Sequence, residues 1–407
     1  MKFKLFIFAF LICNLLNATK IKPGIYRGIL LLDSLNKIEL PFNFTVEYKG
    51  KKPLIIIKNA TEKITVTEIK TKKDSIFFKM PVFDTEFRAK IIGEDWEGVW
   101  INNYRKEKRI IPFKADFDNG LRFNSVPGKP NPYFEGKWET TFSPGTKDSS
   151  KAIGIFHHLE QTDFIHGTFL TETGDYRFLE GIKKGNEIYL SCFDGSHAFL
   201  FIGKYTNEKI TGMFYSGMHW KEEWVALKNE SFKLRDANEI TYVKNRGEKL
   251  NFTFKNLDDK KISVNDERYK NKPVIIQVMG SWCPNCMDES AYLAEVYKQY
   301  KGKGLEIIAL AFEKTTDPEK AKKQVTRFKS KLNIEYEILI TQLSGKQKAS
   351  ETLSILNEIS SFPTTIFLNK NHEIVKIHTG FSGPATGKDY EQFKENTEAL
   401  INHLIKE

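Results

Sequence analysis

The residues best equipped for chemistry are two cysteines, Cys283 and Cys286, in the stretch VIIQVMGSWCPNCMDES at residues 274–290. A strongly apolar run ends at Gly280–Ser281, the cysteines follow with Pro284 between them, and a helical pattern begins. A thiol at the first turn of a helix meets free backbone N–H groups and the positive end of the helix dipole, and both favour its thiolate. The thiolate is the attacking form, so this position makes Cys283 a nucleophile. Pro284 suits the first helical turn because it has no N–H to leave unpaired. Cys286 lies one turn on, where it can attack the Cys283 sulfur and release a substrate held there as a mixed disulfide.

Other uses of a close cysteine pair fit less well. Zinc wants two further ligands, and His372, His378 and His403 are isolated in the sequence, so no metal is expected. A purely structural disulfide here would close too small a loop to stabilise much. The expected redox group is the Cys283–Cys286 disulfide itself, with no other cofactor. Cys192 lies in the apolar run EIYLSCF and reads as a buried packing residue. His157 and His158, near Glu160, are neighbours on a strand pattern and so point to opposite faces.

The 407 residues leave room for two or three domains. The net charge of +10 comes from lysines scattered through turns and beside acids, with no long basic run. That pattern is a solvated surface, and no nucleic-acid partner is expected. The N-terminus, MKFKLFIFAFLICNLLNATK, opens with Lys2 and Lys4, continues with an apolar run from Leu5 to Leu16, and reaches a small residue at Ala18. This layout predicts a signal peptide over residues 1–18 and export to the periplasm or cell envelope. Phe10, Leu11 and Ile12 before Cys13 lack the small residues that lipid-anchor processing wants, so no lipid anchor is expected. No later stretch is long and apolar enough to predict a transmembrane helix.

The elements that must carry the thiols follow from periodicity. Residues 20–126 and 133–232 read as two β-rich domains, with short alternating strands and turns at Lys49–Lys51, Asp118–Gly120 and Lys184–Asn186. Blocks 24–33, 72–93 and 96–116 are echoed in order by blocks 136–145, 183–203 and 210–229. The echo predicts two tandem antiparallel barrels or sandwiches, or one larger sandwich, with the Pro- and Gly-rich 124–136 as the seam. Trp96, Trp100, Trp220 and Trp224 are expected inside the barrels, and Phe193–His197 reads as part of a hairpin turn. Residues 245–407 change texture to a β-hairpin (250–266) followed by β-α-β-α-β-α-β-β-α. That order predicts an α/β domain with a central mixed sheet and helices on both faces.

GSWCPNC after an apolar strand resembles the thioredoxin fold. The run FTFKNLDDKKISV (252–264) ahead of NKPVIIQVMGSWCPNCMDE resembles the TlpA/ResA-type exported disulfide reductases, over roughly residues 250–407. The resemblance implies a cis-proline facing the dithiol at Pro363, in FPTTIFLNKNHEIVKIHTG. It implies a flanking, shaping role for Trp282 and an acid beside the site at Glu289, able to relay a proton to or from Cys286. It also implies client proteins with disulfides and a membrane electron-donor protein that recharges the dithiol. One departure is Gln277, where many thioredoxins carry a buried Asp; Glu289 or water must then serve as the acid–base partner. Asp288 and Glu289 add negative charge nearby, and the intervening Pro284–Asn285 carries no cation, which points to a more reducing couple. A contrasting expectation is an envelope binding or scaffold protein whose β-domains carry the function, with the dithiol a minor or regulatory element.

Overall fold

A computed structural model describes residues 20–107, 109–123, 134–158 and 162–407. The expected leader at 1–18 with Cys13, Glu160, and residues 124–133 of the expected seam lie outside the described residues.

The first domain is a meander of β1 (Gly24–Asp33), β2 (Ile38–Lys49), β3 (Lys52–Asn59), β4 (Glu62–Val66), β5 (Glu68–Lys72), β6 (Ser75–Lys79), β7 (Thr85–Ile92), β8 (Asp95–Asn102) and β9 (Ile110–Phe117). Each strand pairs with its sequence neighbour except β4 with β5, and β1 pairs with β9. Only Thr67 separates β4, which pairs with β3, from β5, which pairs with β6. The two are one bent stave, so the sheet closes on itself and leaves no long unpaired edge. Alternate residues point inward, and the interior is filled with Tyr26, Phe42, Phe44, Phe78, Phe87, Trp96 and Phe113.

The second domain contains β10 (Gly136–Phe142), β11 (Ser150–His158), β12 (Phe164–Thr171), β13 (Gly174–Asp175), β14 (Leu179–Lys184), β15 (Glu187–Phe193), β16 (Ala198–Thr206), β17 (Lys209–Ser216) and β18 (Trp220–Lys228). Pairings of β11 with β12 and of β10 with β18 close this sheet as well, and the two-residue β13 caps the end of β12. The echoed blocks now have a structural meaning. β1, β6, β7, β8 and β9 hold the same ranks around the first barrel as β10, β15, β16, β17 and β18 do around the second, so two barrels form rather than one larger sandwich. Trp96, Trp100 and Trp224 are buried as expected, whereas Trp220 is 48% exposed at a barrel rim. It opens β18 beside a turn, where the strand has not yet entered the packed layer.

The barrels share an interface through β15. Cys192 faces the core of the second barrel, while Phe193, the next residue and hence on the opposite face, sits in the core of the first. Its ring stacks on Phe42 at 4.6 Å and meets Trp100 edge-on at 5.3 Å. Asn59 brackets its backbone, donating to Phe193 O at 2.9 Å and accepting from Phe193 N at 3.2 Å.

A short helix, α1 (Ala237–Ile240), leads to the third domain. There β19 (Thr253–Asn256), β20 (Lys261–Ser263), β21 (Val274–Met279), β22 (Glu306–Ala311), β23 (Glu337–Ile340), β24 (Thr364–Leu368) and β25 (Ile374–Thr379) form one mixed sheet. Its order is β20-β19-β23-β22-β21-β24-β25, with β21, β22 and β23 parallel. Helices α2 (Pro284–Tyr300), α3 (Pro318–Lys331), α4 (Gly345–Thr352) and α5 (Lys388–Lys406) connect or close it. Every residue of β21 is buried, Gln277 included, as expected of a largely apolar strand covered on both faces. Among the described residues no helix is long and apolar enough to cross a membrane.

Phe193→Ala should empty a site walled by the rings of Phe42, Phe87 and Trp100 and cost about 3 kcal/mol. Chemical denaturation followed by tryptophan fluorescence should show an earlier transition, and an unchanged midpoint would refute a packing role for this ring between the barrels.

Candidate active site

β21 aims the chain at the site and Gly280 turns it. A Cβ at Gly280 would lie 2.3 Å from Trp282 Nε1, so glycine is required for the turn to close. Cys283 N donates to Gly280 O at 3.1 Å, and Cys283 then caps α2. Its backbone is extended, and its sulfur accepts from Cys286 N at 3.3 Å, the place that an Asp or Ser oxygen takes at other helix starts. Both cysteines are free thiols. Cys286 is fully buried, and burial together with its hydrogen bond to Cys283 raises its thiol well above the ordinary range.

Beneath Cys286 the core is polar. Glu289 is wholly buried and is not a solvated first-turn acid. It accepts from Gln277 Nε2 at 2.7 Å and from Thr365 Oγ1 at 2.7 Å. Burial pushes its carboxyl up to about 7, although both hydrogen bonds favour the charged form. Gln277 Oε1 in turn accepts from Ser290 Oγ at 3.0 Å and from Tyr336 OH at 3.4 Å. Gln277 thus ties Glu289 to the central strand.

The Phe362–Pro363 peptide is cis. Cys283 Sγ donates to Phe362 O at 3.4 Å, which brings Pro363 to the dithiol. Trp282 donates to Phe312 O at 3.0 Å and meets Phe362 edge-on at 5.8 Å. The ammonium of Lys314 lies 3.8 Å from the Trp282 ring centroid and attracts a thiolate at Cys283. Glu313, beside it, is buried, accepts from Ser281 N at 2.8 Å and Ser281 Oγ at 2.7 Å, and is pushed up to about 7 by burial.

The second barrel reaches into this centre. Arg177, 1% exposed, ion-pairs with Glu62 of the first barrel, with Asp194 of the second at 3.1 Å, and with Asp288 of α2. Burial pushes the Asp288 carboxyl up to about 7; Arg177 opposes this, while Asp175, Glu62 and Asp194 add to it. For Asp194 burial works the other way from the net result, because His197 and Arg177 hold its carboxyl down to about 2. Asp175 anchors Gly383 N and Arg177 N, each at 2.5 Å. Gly174, at φ +140°, brings its backbone so close to α2 that a Cβ would lie 2.0 Å from Asn285 Nδ2. Ser361 Oγ donates to Thr173 O at 2.8 Å, and Ser196 Oγ donates to Trp282 O at 3.2 Å.

The five residues singled out in the sequence, Trp282, Cys283, Cys286, Glu289 and Pro363, therefore converge. Two charge arguments change. Asp288 and Glu289 carry less negative charge near neutral pH than their types suggest, and Lys314 supplies the cation that the Pro284–Asn285 dipeptide lacks. Lys314, Arg177, Asp175 and Asp194 escaped sequence reasoning. The only local signal was the FDGSH stretch, which does form the β15–β16 turn but carries a buried ion pair. Among the described residues no cluster of three or more His, Cys, Asp or Glu is placed to hold a metal ion.

Residues 247–377 match the AhpC/TSA family. The chain is 30% identical over 133 residues to the thiol-disulfide oxidoreductase ResA of Halalkalibacterium halodurans, covering 32% of this chain and 66% of that one. It is 26% identical over 140 residues to ResA of Bacillus subtilis, covering 34% of this chain and 70% of that one. Among solved structures, a thiol-disulfide oxidoreductase from Bacteroides fragilis aligns with TM-score 0.28 and 18% identity, over 35% of this chain and 96% of that one. The family match falls on the third domain.

The Glu289 carboxyl yields a signed pH test. Its value near 7 in the folded chain lies above the ordinary 4.5. Between those values the folded chain keeps a proton that the unfolded chain releases, so its contribution to stability is lost as pH rises. Raising pH from 6 to 8 should therefore favour Glu289→Gln over the wild type by about 1 kcal/mol in urea denaturation. A difference that is flat or of opposite sign would exclude a buried, proton-holding Glu289.

Proposed function

We propose, from an AhpC/TSA-family domain with a dithiol at a helix N-terminus, that this chain is an exported thiol–disulfide oxidoreductase working as a disulfide reductase in the cell envelope. The observation that carries the reading is Cys283 as the cap of α2, its sulfur held by the Cys286 amide above a buried Glu289.

The reaction follows from the geometry. The Cys283 thiolate attacks one sulfur of a client disulfide; that bond breaks, the other client sulfur leaves as a thiolate, and a mixed disulfide forms. Cys286 gives up its proton, with Glu289 as acceptor, and attacks Cys283 Sγ. The second client thiolate leaves and the protein holds the Cys283–Cys286 disulfide. Two electrons have passed to the client. Trp282 and Pro363 shape the approach to Cys283. The dithiol needs no further cofactor, and a membrane electron-donor protein would return the two electrons, as the resemblance to exported reductases implies. The raised, buried Cys286 thiol favours the reducing direction, while Lys314 pulls against it. The leader at residues 1–18 supports export.

Cys283→Ser should abolish dithiothreitol-driven reduction of disulfide substrates, and Cys286→Ala should accumulate clients as mixed disulfides. A wild type without turnover would leave only the scaffold reading. Glutathione equilibration that gave a strongly oxidising potential would reverse the assigned direction.

Glu289→Gln should slow release of the mixed disulfide by about 100-fold. It should also remove an inflection near pH 7 from the release rate, which rises with pH in the wild type as Glu289 loses its proton. A variant that kept the inflection would assign the proton transfer to another group.

A further inference from the structure

The ends of the barrels nearest the site differ. Phe193 plugs the first barrel. The second opens at the end where β12, β16 and β17 meet the dithiol, leaving a cavity of about 740 Å³. Its floor is the aromatic layer of Tyr176, Phe199 and Phe214, and Cys283, Pro284 and Phe362 form the facing wall. A barrel mouth of this size is of the order that holds one small ligand or a short stretch of chain. Much of the surface around the dithiol is already covered by this protein's own Thr173–Arg177 segment. A disulfide reaches Cys283 through the space that remains.

The charges lining the cavity are mostly spoken for. Glu172 pairs with Arg235 at 3.0 Å and Lys151 with Glu139 at 2.7 Å. Glu222 accepts from Ser143 Oγ at 2.6 Å and from Trp220 Nε1 at 3.0 Å. Asp175 is held by backbone amides. Arg105, from the β8–β9 connection of the first barrel, is half-buried in the lining, and its guanidinium has no carboxylate or hydrogen-bond acceptor among the described residues. It also lies near enough to Lys314 for the two cations to repel. Two cations placed together beside a nucleophile, one without a counter-ion, suit an arriving anion.

We propose that the mouth of the second barrel is the substrate cup of the dithiol, and that it takes a disulfide on a short, flexible chain whose carboxylate pairs with Arg105. The proposal rests on the reading of Cys283 as the nucleophile and names what that nucleophile receives. With the carboxylate on Arg105 and the adjoining chain against the aromatic floor, the Cys283 thiolate attacks the nearer substrate sulfur. The farther sulfur leaves as a thiolate that takes a proton from water, and the nearer one stays bound to Cys283 until Cys286 displaces it. The protein is oxidised by two electrons and the substrate reduced by two; an external dithiol closes the cycle.

The test mixes the reduced full chain with oxidised glutathione, or with the same disulfide carrying esterified carboxylates. Oxidation is followed by tryptophan fluorescence, and each rate is divided by that of free dithiothreitol with the same disulfide. The wild type should prefer the carboxylate form by about tenfold. Arg105→Ala should bring the ratio to about one and Arg105→Lys should restore part of it. The same tripeptide disulfide on the flexible tail of a carrier protein separates the sources of the ligand. Equal rates assign the cup to flexible protein segments, and a much slower tail assigns it to free small disulfides. A wild-type ratio near one, or a preference that survives Arg105→Ala, overturns the proposal while leaving the oxidoreductase reading in place. If neither disulfide oxidises the reduced chain, the nucleophile reading fails first.

Discussion

The guanidinium of Arg177 is the constraint on which the arrangement depends. It is buried where all three domains meet and balances carboxylates from each of them. A charge so placed tolerates no vacancy among its partners, since leaving one buried ion unpaired costs about 3–5 kcal/mol. The geometry of the barrels relative to α2 is therefore fixed by charge as well as by contact area. Burial, joined by more carboxylates around Arg177 than one cation can neutralise, pushes the Asp288 carboxyl up to about 7. The centre is stable as a set and unfavourable in any subset.

The dithiol follows the same logic on a smaller scale. α2 offers its free amides to the Cys283 sulfur, and burial makes the Cys286 thiol and the Glu289 carboxyl reluctant to ionise. The two effects divide the labour between sulfurs only three residues apart. The outer sulfur is set up to attack, and the inner one waits until a proton acceptor is at hand. Gln277 joins this division by orienting Glu289 from the central strand without adding a charge.

Much of the third domain was legible in the sequence because its signals are local. Val274–Met279 is an apolar run interrupted only by Gln277, Asp317–Pro318 and Cys283–Pro284 mark helix starts, and the thiols share one short motif. The tandem barrels were legible as an echo of blocks, though closure depends on long-range pairings such as β1 with β9 that no local pattern encodes. The position of Pro363 came from resemblance. What stayed hidden has a common cause. Arg177, Asp194, Lys314 and Arg105 look like ordinary surface charges in a lysine-rich chain, and only folding brings them from distant segments to one point. Trp220 was misplaced because a residue type shows a preference for burial and not its height along a barrel stave.

The alternation along β15 has a consequence for how this architecture can be inherited. Leu190 and Cys192 belong to one hydrophobic interior, while Ser191 reaches toward Pro41 and Phe193 belongs to the other. One stave thus writes to two cores in alternate letters. A single-residue insertion there would exchange the letters, sending a hydroxyl and a large ring into one core and a thiol and a leucine to the seam. The two barrels are therefore not interchangeable, and recombination that swapped or deleted one of them would break the other.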